Sequence, residues 1–301
     1  DRKPPTMRNV LRFVDLQSGL LCFLFLVCLA HSAAECGVIY VDNRAGNNAL
    51  NGIAPKIVSG KNGPVKTIKR ALEYARPGDK IILINNEIPY HESIALSGKR
   101  FSGIGQEMFT ILGNGATISG AIPVPQNGWK QLKEGLWKVT PFRKGYFNLY
   151  LDGKTLPEYR PETDQEVKLT DIPSGNWAVY KGSIYYRELK NQFPPNEVFS
   201  LAGMSVGLSL VDVEGVQISD VTFENFRIDG INVHDRCKNI ILENVTSTGN
   251  GRCGLAVNGT SQVEVIDSKL IDNRIEDLLI TEQGVANLKQ TKLGKKATLT
   301  P

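Results

Sequence analysis

Apolar and polar residues alternate in three aligned segments of the C-terminal third of the chain, residues 215–222, 239–246 and 262–269. Alternation with a period of two places every second side chain on one face of a strand. The segments recur at intervals of 24 and 23 residues. Such a repeat predicts one coil of a β-solenoid, in which stacked strands about 4.8 Å apart share one core. The aligned apolar rows are Val216/Ile240/Val263 and Ile218/Leu242/Val265.

Each repeat carries a second apolar run, which begins at Gly230, Gly254 and Leu278. The equal spacing of 24 residues predicts a second stacked sheet. No stretch in the repeats is long enough for a crossover helix, which excludes a parallel α/β fold. The predicted buried row of the second sheet is Ile231, Leu255 and Leu279.

The segment before the repeats predicts a cap for the open end of the solenoid. Residues 67–76 place Ile68, Ala71 and Leu72 on one helical face, and residues 77–79 (PGD) end the helix. A solenoid end needs such a cover because it otherwise leaves core side chains in water. The predicted divisions are residues 35–120 for the cap and first coils, 201–293 for the regular coils and 294–301 for a tail.

Residues 121–200 differ from the repeats because they hold all three Trp, six of the nine Tyr and four of the eleven Phe residues. Alternating runs at 147–151 and 177–180 adjoin the turn sequences Asp152-Gly153 and Lys181-Gly182. This pattern predicts an antiparallel β subdomain inserted between coils.

Residues 1–34 are predicted to be an upstream extension and a signal peptide. Arg8 and Arg12 form a basic region, residues 20–30 (LLCFLFLVCLA) are apolar, and residues 32–34 (SAA) are small enough for cleavage. Eleven apolar residues are few for a membrane span. We expect a secreted, periplasmic or cell-surface protein, with an uncleaved anchor as the alternative.

Composition excludes several classes of protein. With 41% hydrophobic and 22% charged residues among 301, the chain has enough apolar residues for a packed core. Its 35 basic and 31 acidic residues are too evenly balanced to predict nucleic-acid binding.

Beyond residue 34 the cysteines are Cys36, Cys237 and Cys253, an odd number that excludes a complete disulfide framework. Cys237 and Cys253 could pair, although buried thiols are the favoured interpretation. We expect a monomer that makes no membrane contact once the signal peptide is cleaved.

Three N-terminal segments carry a family resemblance: residues 39–46 (IYVDNRAG), 63–72 (GPVKTIKRAL) and 77–83 (PGDKIIL). They resemble the start of secreted right-handed parallel β-helix proteins of the pectin lyase-like kind, which include bacterial polysaccharide lyases and glycoside hydrolases. Residues 149–153 and 159–161 are similar to inserts in such proteins. The resemblance implies an all-β, right-handed parallel β-helix and a polysaccharide partner.

The catalytic motifs of these families are mostly missing. Neither the polygalacturonase set (NTD, DD, GHG, RIK) nor the pectate-lyase RxPxxR motif occurs. Residues 232–235 (NVHD) match two of four positions of the DPHD-like motif of alginate epimerases on this fold, which implies uronate chemistry. Because one fold hosts many activities, the resemblance alone does not choose the reaction.

His234 is the centre of the predicted site. Strand alternation should turn Asn232 and His234 outward, and a 24-residue coil should stack Asn258 and Glu282 on His234. Removing the C5 proton of a uronate needs a base, and the adjacent carboxylate needs a cation. His234 would be that base. The candidate cations are Arg252 and Arg236.

A hydrolase would instead need two carboxylates. Asp229 and Asp277 lie 48 residues apart, which is two coils and about 9.6 Å at about 4.8 Å per layer. An inverting glycosidase separates its carboxylates by about 6.5–9.5 Å. The alternative for every residue of this site is a solvated outer face.

Two further features bear on ligands. Trp177 could stack on a sugar ring, although a small β subdomain also needs aromatic residues for its own core. The Asx-rich loop at residues 42–52 could offer oxygens to Ca²⁺, but its spacing fits Asx turns better, so we expect no cofactor and no metal.

These observations predict an exported carbohydrate-active protein: a polysaccharide lyase, a uronate epimerase or a glycoside hydrolase. The alternatives are a non-catalytic carbohydrate-binding or surface protein, and a truncated enzyme fragment.

Overall fold

The computed structural model of the protein describes residues 36–133, 135–162, 165–190, 192–294 and 297–300. The predicted signal peptide and its alternative, a membrane anchor, lie outside these residues. Within the described ranges, no helix is long and apolar enough to cross a membrane.

The described residues form one α-helix, four short 3-10 helices and 23 strands. The helices are α1 (Ile68–Tyr74) and the 3-10 helices Lys99–Phe101, Gln126–Gly128, Leu169–Asp171 and Pro194–Asn196. The strands are β1 (Val38–Val41), β2 (Lys80–Leu83), β3 (Ile94–Ser97), β4 (Phe109–Ser119), β5 (Ala121–Pro123), β6 (Lys130–Lys133), β7 (Leu136–Val139), β8 (Leu149–Leu151), β9 (Lys154–Thr155), β10 (Trp177–Tyr180), β11 (Ser183–Arg187), β12 (Phe199–Ala202), β13 (Val206–Val211), β14 (Glu214–Glu224), β15 (Asp229–His234), β16 (Lys238–Thr248), β17 (Cys253–Val257), β18 (Gln262–Ile266), β19 (Lys269–Ile271), β20 (Glu276–Thr281), β21 (Val285–Lys289), β22 (Lys292–Leu293) and β23 (Ala297–Thr300).

Two parallel sheets carry the repeats. The first sheet has the order β1-β2-β4-β14-β16-β18-β21, with β19 and β22 paired alongside, and the second has the order β3-β13-β15-β17-β20-β23. From β13 onward the chain alternates between the two sheets, and each strand pairs with its equivalent one coil away. The protein is therefore all-β with long parallel sheets, as its sequence predicts.

The pairing register determines which side chains become neighbours. In the first sheet the offset is 24 residues between β14 and β16, and 23 between β16 and β18. In the second sheet it is 24 between β15 and β17, and 23 between β17 and β20. The predicted spacing of 24 is wrong at this last step, because Leu255 pairs with Leu278. Leu278, rather than Leu279, joins the core.

The inward rows of both sheets form one continuous core. Val216, Ile240 and Val263 of the first sheet are each at most 2% exposed, as are Ile231 and Leu255 of the second. These are the rows that strand alternation predicts.

Cys237 and Cys253 are buried free thiols. Burial raises the pKa of both side chains. A disulfide between them, one of the two sequence interpretations, is not formed.

The helix α1 packs on the first coils. It begins after Thr67, whose Oγ1 accepts a hydrogen bond from the Arg70 amide at 3.1 Å. The carboxylate of Glu92 accepts from the first two helical amides, at 2.8 and 2.9 Å. These bonds satisfy donors that a helix start otherwise leaves without partners. The buried Ile68 and Ala71 belong to the same core as the inward rows.

The aromatic segment, residues 121–202, forms two antiparallel sheets with the orders β10-β11-β7-β6 and β5-β12-β8-β9. The rings of Trp129 and Phe199 meet edge to face in a separate core, with centroids 5.0 Å apart. Tyr186 also lies in this core, where burial raises its pKa to about 12.

We expect Leu242→Ala to lower the free energy of unfolding by about 2–5 kcal/mol, because it leaves a cavity between stacked coils. Ile241→Ala, the outward and half-buried neighbour on the same strand, is the control and should cost less. Denaturant titration of both variants measures the difference, and an equal or reversed order would mean that the inward face is misassigned.

Candidate functional site

The outward side chains of β13, β15, β17 and β20 form the outer face of the second sheet. Strand pairing arranges them in two columns that run across the coils. The first column is Ser209, Asn232, Ala256 and Leu279. The second follows from the same register and contains Val211, His234, Asn258 and Thr281.

Three side chains on this face form a hydrogen-bonded polar row: Asn232, Asn258 and Thr281. The Asn258 amide donates from Nδ2 to Oδ1 of Asn232 at 3.3 Å, and Thr281 Oγ1 donates to Asn258 Oδ1 at 2.6 Å. His234 stands beside the row with 38% of its side chain exposed, and its Nδ1 lies 3.3 Å from Asp235 Oδ1. The structure thus brings together the predicted Asn232, His234 and Asn258.

An ion pair between the buried Asp229 and the partly exposed Arg252 supports the start of the polar row. Asp229 is fully buried, and Arg252 donates to both of its oxygens, from Nε at 2.8 Å and Nη2 at 2.5 Å. Asn232 Nδ2 also donates to Asp229 Oδ2 at 2.9 Å. The hydrogen bond to Asp229 raises the pKa of Arg252. One connected set of bonds therefore runs from Arg252 to Thr281 and holds the row in place.

The structure corrects the predicted role of Asp229. Its two carboxylate oxygens accept from Arg252 and Asn232 in the interior, so they do not face a substrate. The cation of Arg252 is likewise used by Asp229. The sequence suggested Asp229 as a catalytic carboxylate and Arg252 as a free cation. The structure places neither group in that way.

The 23-residue step removes Asp277 from the predicted column. Glu276, not Asp277, pairs with Cys253 and so follows Asp229 in the stack. Asp277 is 1% exposed, and its Oδ1 accepts from the backbone amide and the side-chain Nδ2 of Asn273, at 3.1 and 2.8 Å. Asp229 and Asp277 therefore do not form an exposed pair of carboxylates.

The same step removes Glu282 from the polar row. A residue with left-handed backbone lies just beyond each of the strands β3, β13, β15, β17 and β20, with φ between 53° and 71°. Glycine and short polar residues tolerate this conformation best. Glu282 falls in this turn column. Thr281 takes the place beyond Asn258 that the sequence predicted for Glu282. The turn column is Gly98, Asp212, Asp235, Gly259 and Glu282.

Arg236 and Trp177 lie away from the polar row's hydrogen bonds. Arg236 is exposed on the turn and donates from Nε to Asp212 Oδ1 at 3.2 Å. Trp177 is 1% exposed, and its Nε1 donates to the Leu156 carbonyl at 2.9 Å. An indole in the core of the aromatic segment cannot stack on a sugar at the surface, so the structure contradicts its predicted role.

The loop at residues 141–147 supplies site residues that sequence reasoning missed. Arg227 Nη1 donates to the Lys144 carbonyl at 3.0 Å, and the Tyr146 carbonyl lies where a Cβ on Gly251 would clash. Tyr146 is 38% exposed and has φ of 52°. The loop therefore sits at the start of β15 and β17. Only Gly251, at a position where neighbouring coils carry arginine, hints at this contact in the sequence.

The loop at residues 42–52 uses its oxygens for turns. Asp42 Oδ1 accepts from the amides of Arg44 and Ala45, at 2.9 and 3.0 Å, which is an Asx turn. Asn86 Nδ2 donates to the same oxygen. In the part of the chain that the structure describes, no group of three His, Cys, Asp or Glu residues could hold a metal ion.

The fold is similar to that of solved structures. A structure of XylC with xylose matches at a TM-score of 0.53 and 11% identity, over 83% of this chain and 58% of that chain. This chain thus spans less than two thirds of the length of XylC. Pectate lyase Pel9A matches at a TM-score of 0.38 and 14% identity, over 83% of this chain and 61% of that chain. A GH136 lacto-N-biosidase from Eubacterium ramulus matches at a TM-score of 0.40 and 11% identity, over 81% of this chain and 43% of that chain. No protein-family model and no curated protein sequence matches the chain. At the level of the fold, the predicted resemblance to β-helix proteins is confirmed.

We expect Arg252→Gln to destabilise the protein by about 3–5 kcal/mol, because it leaves the buried Asp229 without its cation. Arg236→Gln breaks the exposed pair with Asp212 one coil away and should change stability by less than about 1 kcal/mol. Thermal and denaturant unfolding of the two variants provide the measurement. Similar losses in both would show that the Asp229–Arg252 pair does not behave as a buried one.

Proposed function

We propose that this is an exported carbohydrate-active protein that binds a glycan along the outer face of its second sheet. The observation that carries the proposal is the polar row, in which Asn232, Asn258 and Thr281 are hydrogen-bonded beside the half-exposed His234. The row presents fixed donors and acceptors. In the row, Asn258 and Thr281 share a column at the strand spacing of about 4.8 Å, and Asn232 lies two positions away along the neighbouring strand. Hydroxyl groups of a sugar chain require partners of this kind.

An aromatic ring at the edge of the face fits the same proposal. Tyr146 exposes 38% of its surface, and its carbonyl lies against Gly251, the residue before Arg252. Sugar rings have apolar faces that pack on aromatic rings, while the phenol offers a polar end. Its left-handed backbone is a strained conformation for an aromatic residue, and such strain is concentrated at functional sites. We assign Tyr146 the stacking role that the sequence suggested for Trp177.

Fold similarity supports a carbohydrate ligand without identifying it. XylC was solved with xylose, and its fold is the one that this chain shares. We extend the fold likeness to a right-handed β-helix of about 24 residues per coil. In this proposal α1 covers the N-terminal open end, and the aromatic segment is an insert against the coils.

The arrangement favours binding over hydrolysis. Glycoside hydrolysis needs two carboxylates that reach the sugar, and Asp229 and Asp277 are both buried and hydrogen-bonded. The side chains that face outward in the row are two amides and a hydroxyl, which can hold a sugar but cannot serve as a carboxylate pair.

A second candidate function is proton abstraction from a uronate. It is favoured by His234, whose ring is 38% exposed and contacts the Asp235 carboxylate. A carboxylate that orients an imidazole is a common feature of a general base. This reaction also needs a cation at the uronate carboxylate, and the nearby Arg236 and Arg252 already pair with aspartates.

We expect Asn258→Ala to weaken glycan binding by about tenfold, or about 1.4 kcal/mol, because it removes the centre of the row. Affinity electrophoresis on xylan, pectin and alginate measures this. Gln217→Ala is the matched control, since Gln217 donates to Glu243 on the outward face of the first sheet. Equal weakening in both variants, or no retention of the wild-type protein on any glycan, would exclude the proposed face.

Tyr146→Gly removes the stacking ring and keeps the left-handed backbone, which glycine adopts without strain. We expect it to weaken binding at least as much as Asn258→Ala, whereas Tyr146→Phe should retain most of the affinity. The same gels test both variants.

His234→Ala separates binding from catalysis. If the face only binds glycans, wild-type protein should give neither unsaturated product nor C5 deuterium exchange on uronates, and binding should change modestly in the variant. Turnover that His234→Ala abolishes, with unchanged thermal unfolding, would establish the second candidate instead.

A further inference from the structure

The aromatic segment contains a cleft that the proposed glycan face does not use. Its volume is about 310 Å³, within the range of about 300–1,000 Å³ for small-molecule sites. It lies between β5, the end of β7 and β12. The apolar part of its lining includes Ile122, Pro123, Val124, Pro141 and Leu201.

One side of the cleft combines an exposed ring with a cation. Phe142 lines the cleft and is 96% exposed, which is unusual for a large apolar side chain. Arg143 also lines it. Among the described residues, Arg143 has no ion-pair partner.

The charge next to Arg143 is also positive. Arg227 donates to the Lys144 carbonyl and to Ser205 Oγ, and it makes no ion pair with a described residue. Burial and the charge of Arg143 lower the pKa of Arg227. Two neighbouring guanidinium groups without a carboxylate repel each other, and an anion on Arg143 would relieve that repulsion.

The rim of the cleft is held in place before any ligand binds. Lys144 Nζ donates to the carbonyls of Pro141 and Gly182, both at 2.8 Å, which ties the loop to the turn between β10 and β11. Thr140 Oγ1 and Ser183 Oγ are 2.9 Å apart and share a second bond across the same contact. A rim fixed in this way reduces the entropy lost on binding.

We propose that this cleft binds a small apolar anion, an alkyl or aryl carboxylate. The apolar body lies against Ile122, Pro141 and Leu201, the carboxylate pairs with Arg143, and the ring of Phe142 packs over the bound molecule. The cleft shares the loop at residues 141–147 with Tyr146, but no residue of the polar row lines it, and the proposal does not rest on the glycan face.

Isothermal titration of the full chain with 4-phenylbutyrate and octanoate tests the proposal. Saturable binding of at least one is expected. The neutral isostere 4-phenylbutyramide should bind about tenfold or more weakly than 4-phenylbutyrate, because it cannot pair with Arg143. No saturable binding of either acid, or equal binding of the amide, would overturn the proposal.

Two variants locate the site. Arg143→Gln should remove the preference for the acid over the amide, while Arg236→Gln, an exposed arginine on the coils, should leave it unchanged. Phe142→Ala should weaken both ligands severalfold without altering thermal unfolding, because the ring has almost no packing in the free protein. Unchanged selectivity in Arg143→Gln would place any bound acid elsewhere and so contradict the assignment.

Discussion

Backbone hydrogen bonding between successive coils decides which side chains of this protein become neighbours. Each strand of a parallel sheet must pair with the next along its whole length, because an unpaired backbone group in the interior is costly. The pairing stacks Val216 on Ile240 and Val263, and this inward row is buried. By the same pairing, outward residues of equal position share a column. The register that builds the core thus sets Asn258 beside Thr281, and it places Asn232 two positions away on the neighbouring strand, within reach of the Asn258 side chain.

A single residue in the length of a coil changes the chemistry of that outer face. Alternation of apolar and polar residues correctly predicts the two sheets and the inward rows, because burial imposes a period of two on every strand. It cannot fix the length of a turn, since a turn buries little and places few demands on sequence. The coil between β17 and β20 is one residue shorter than the coil before it. Thr281 consequently occupies the place expected for Glu282, and the site gains a hydroxyl instead of a carboxylate.

Burial is the second respect in which sequence reasoning about the site falls short. Asp229 is charged and begins a strand, so its sequence context suggests exposure. Its actual position depends on Asn232 of the same coil and Arg252 of the next, which complete its hydrogen bonds. The contacts of Tyr146 and Trp177 likewise depend on how the aromatic segment packs, and no periodic pattern in the sequence encodes that packing. Repeats are predictable because each coil meets a copy of itself, whereas the aromatic segment meets a surface unlike its own.

The buried ion pair and the polar row are best understood together. Replacing a buried ion pair by apolar residues is often neutral or stabilising, so stability alone does not explain why Asp229 and Arg252 lie beneath this face. The effect of this pair on Asn232 explains its position. Because the Asn232 amide donates to Asp229 from Nδ2, it turns its Oδ1 toward Asn258. Asn258 in turn presents its own Oδ1 to Thr281. The interior charge thus orients one amide after another, and the face meets a ligand with its donors and acceptors already arranged.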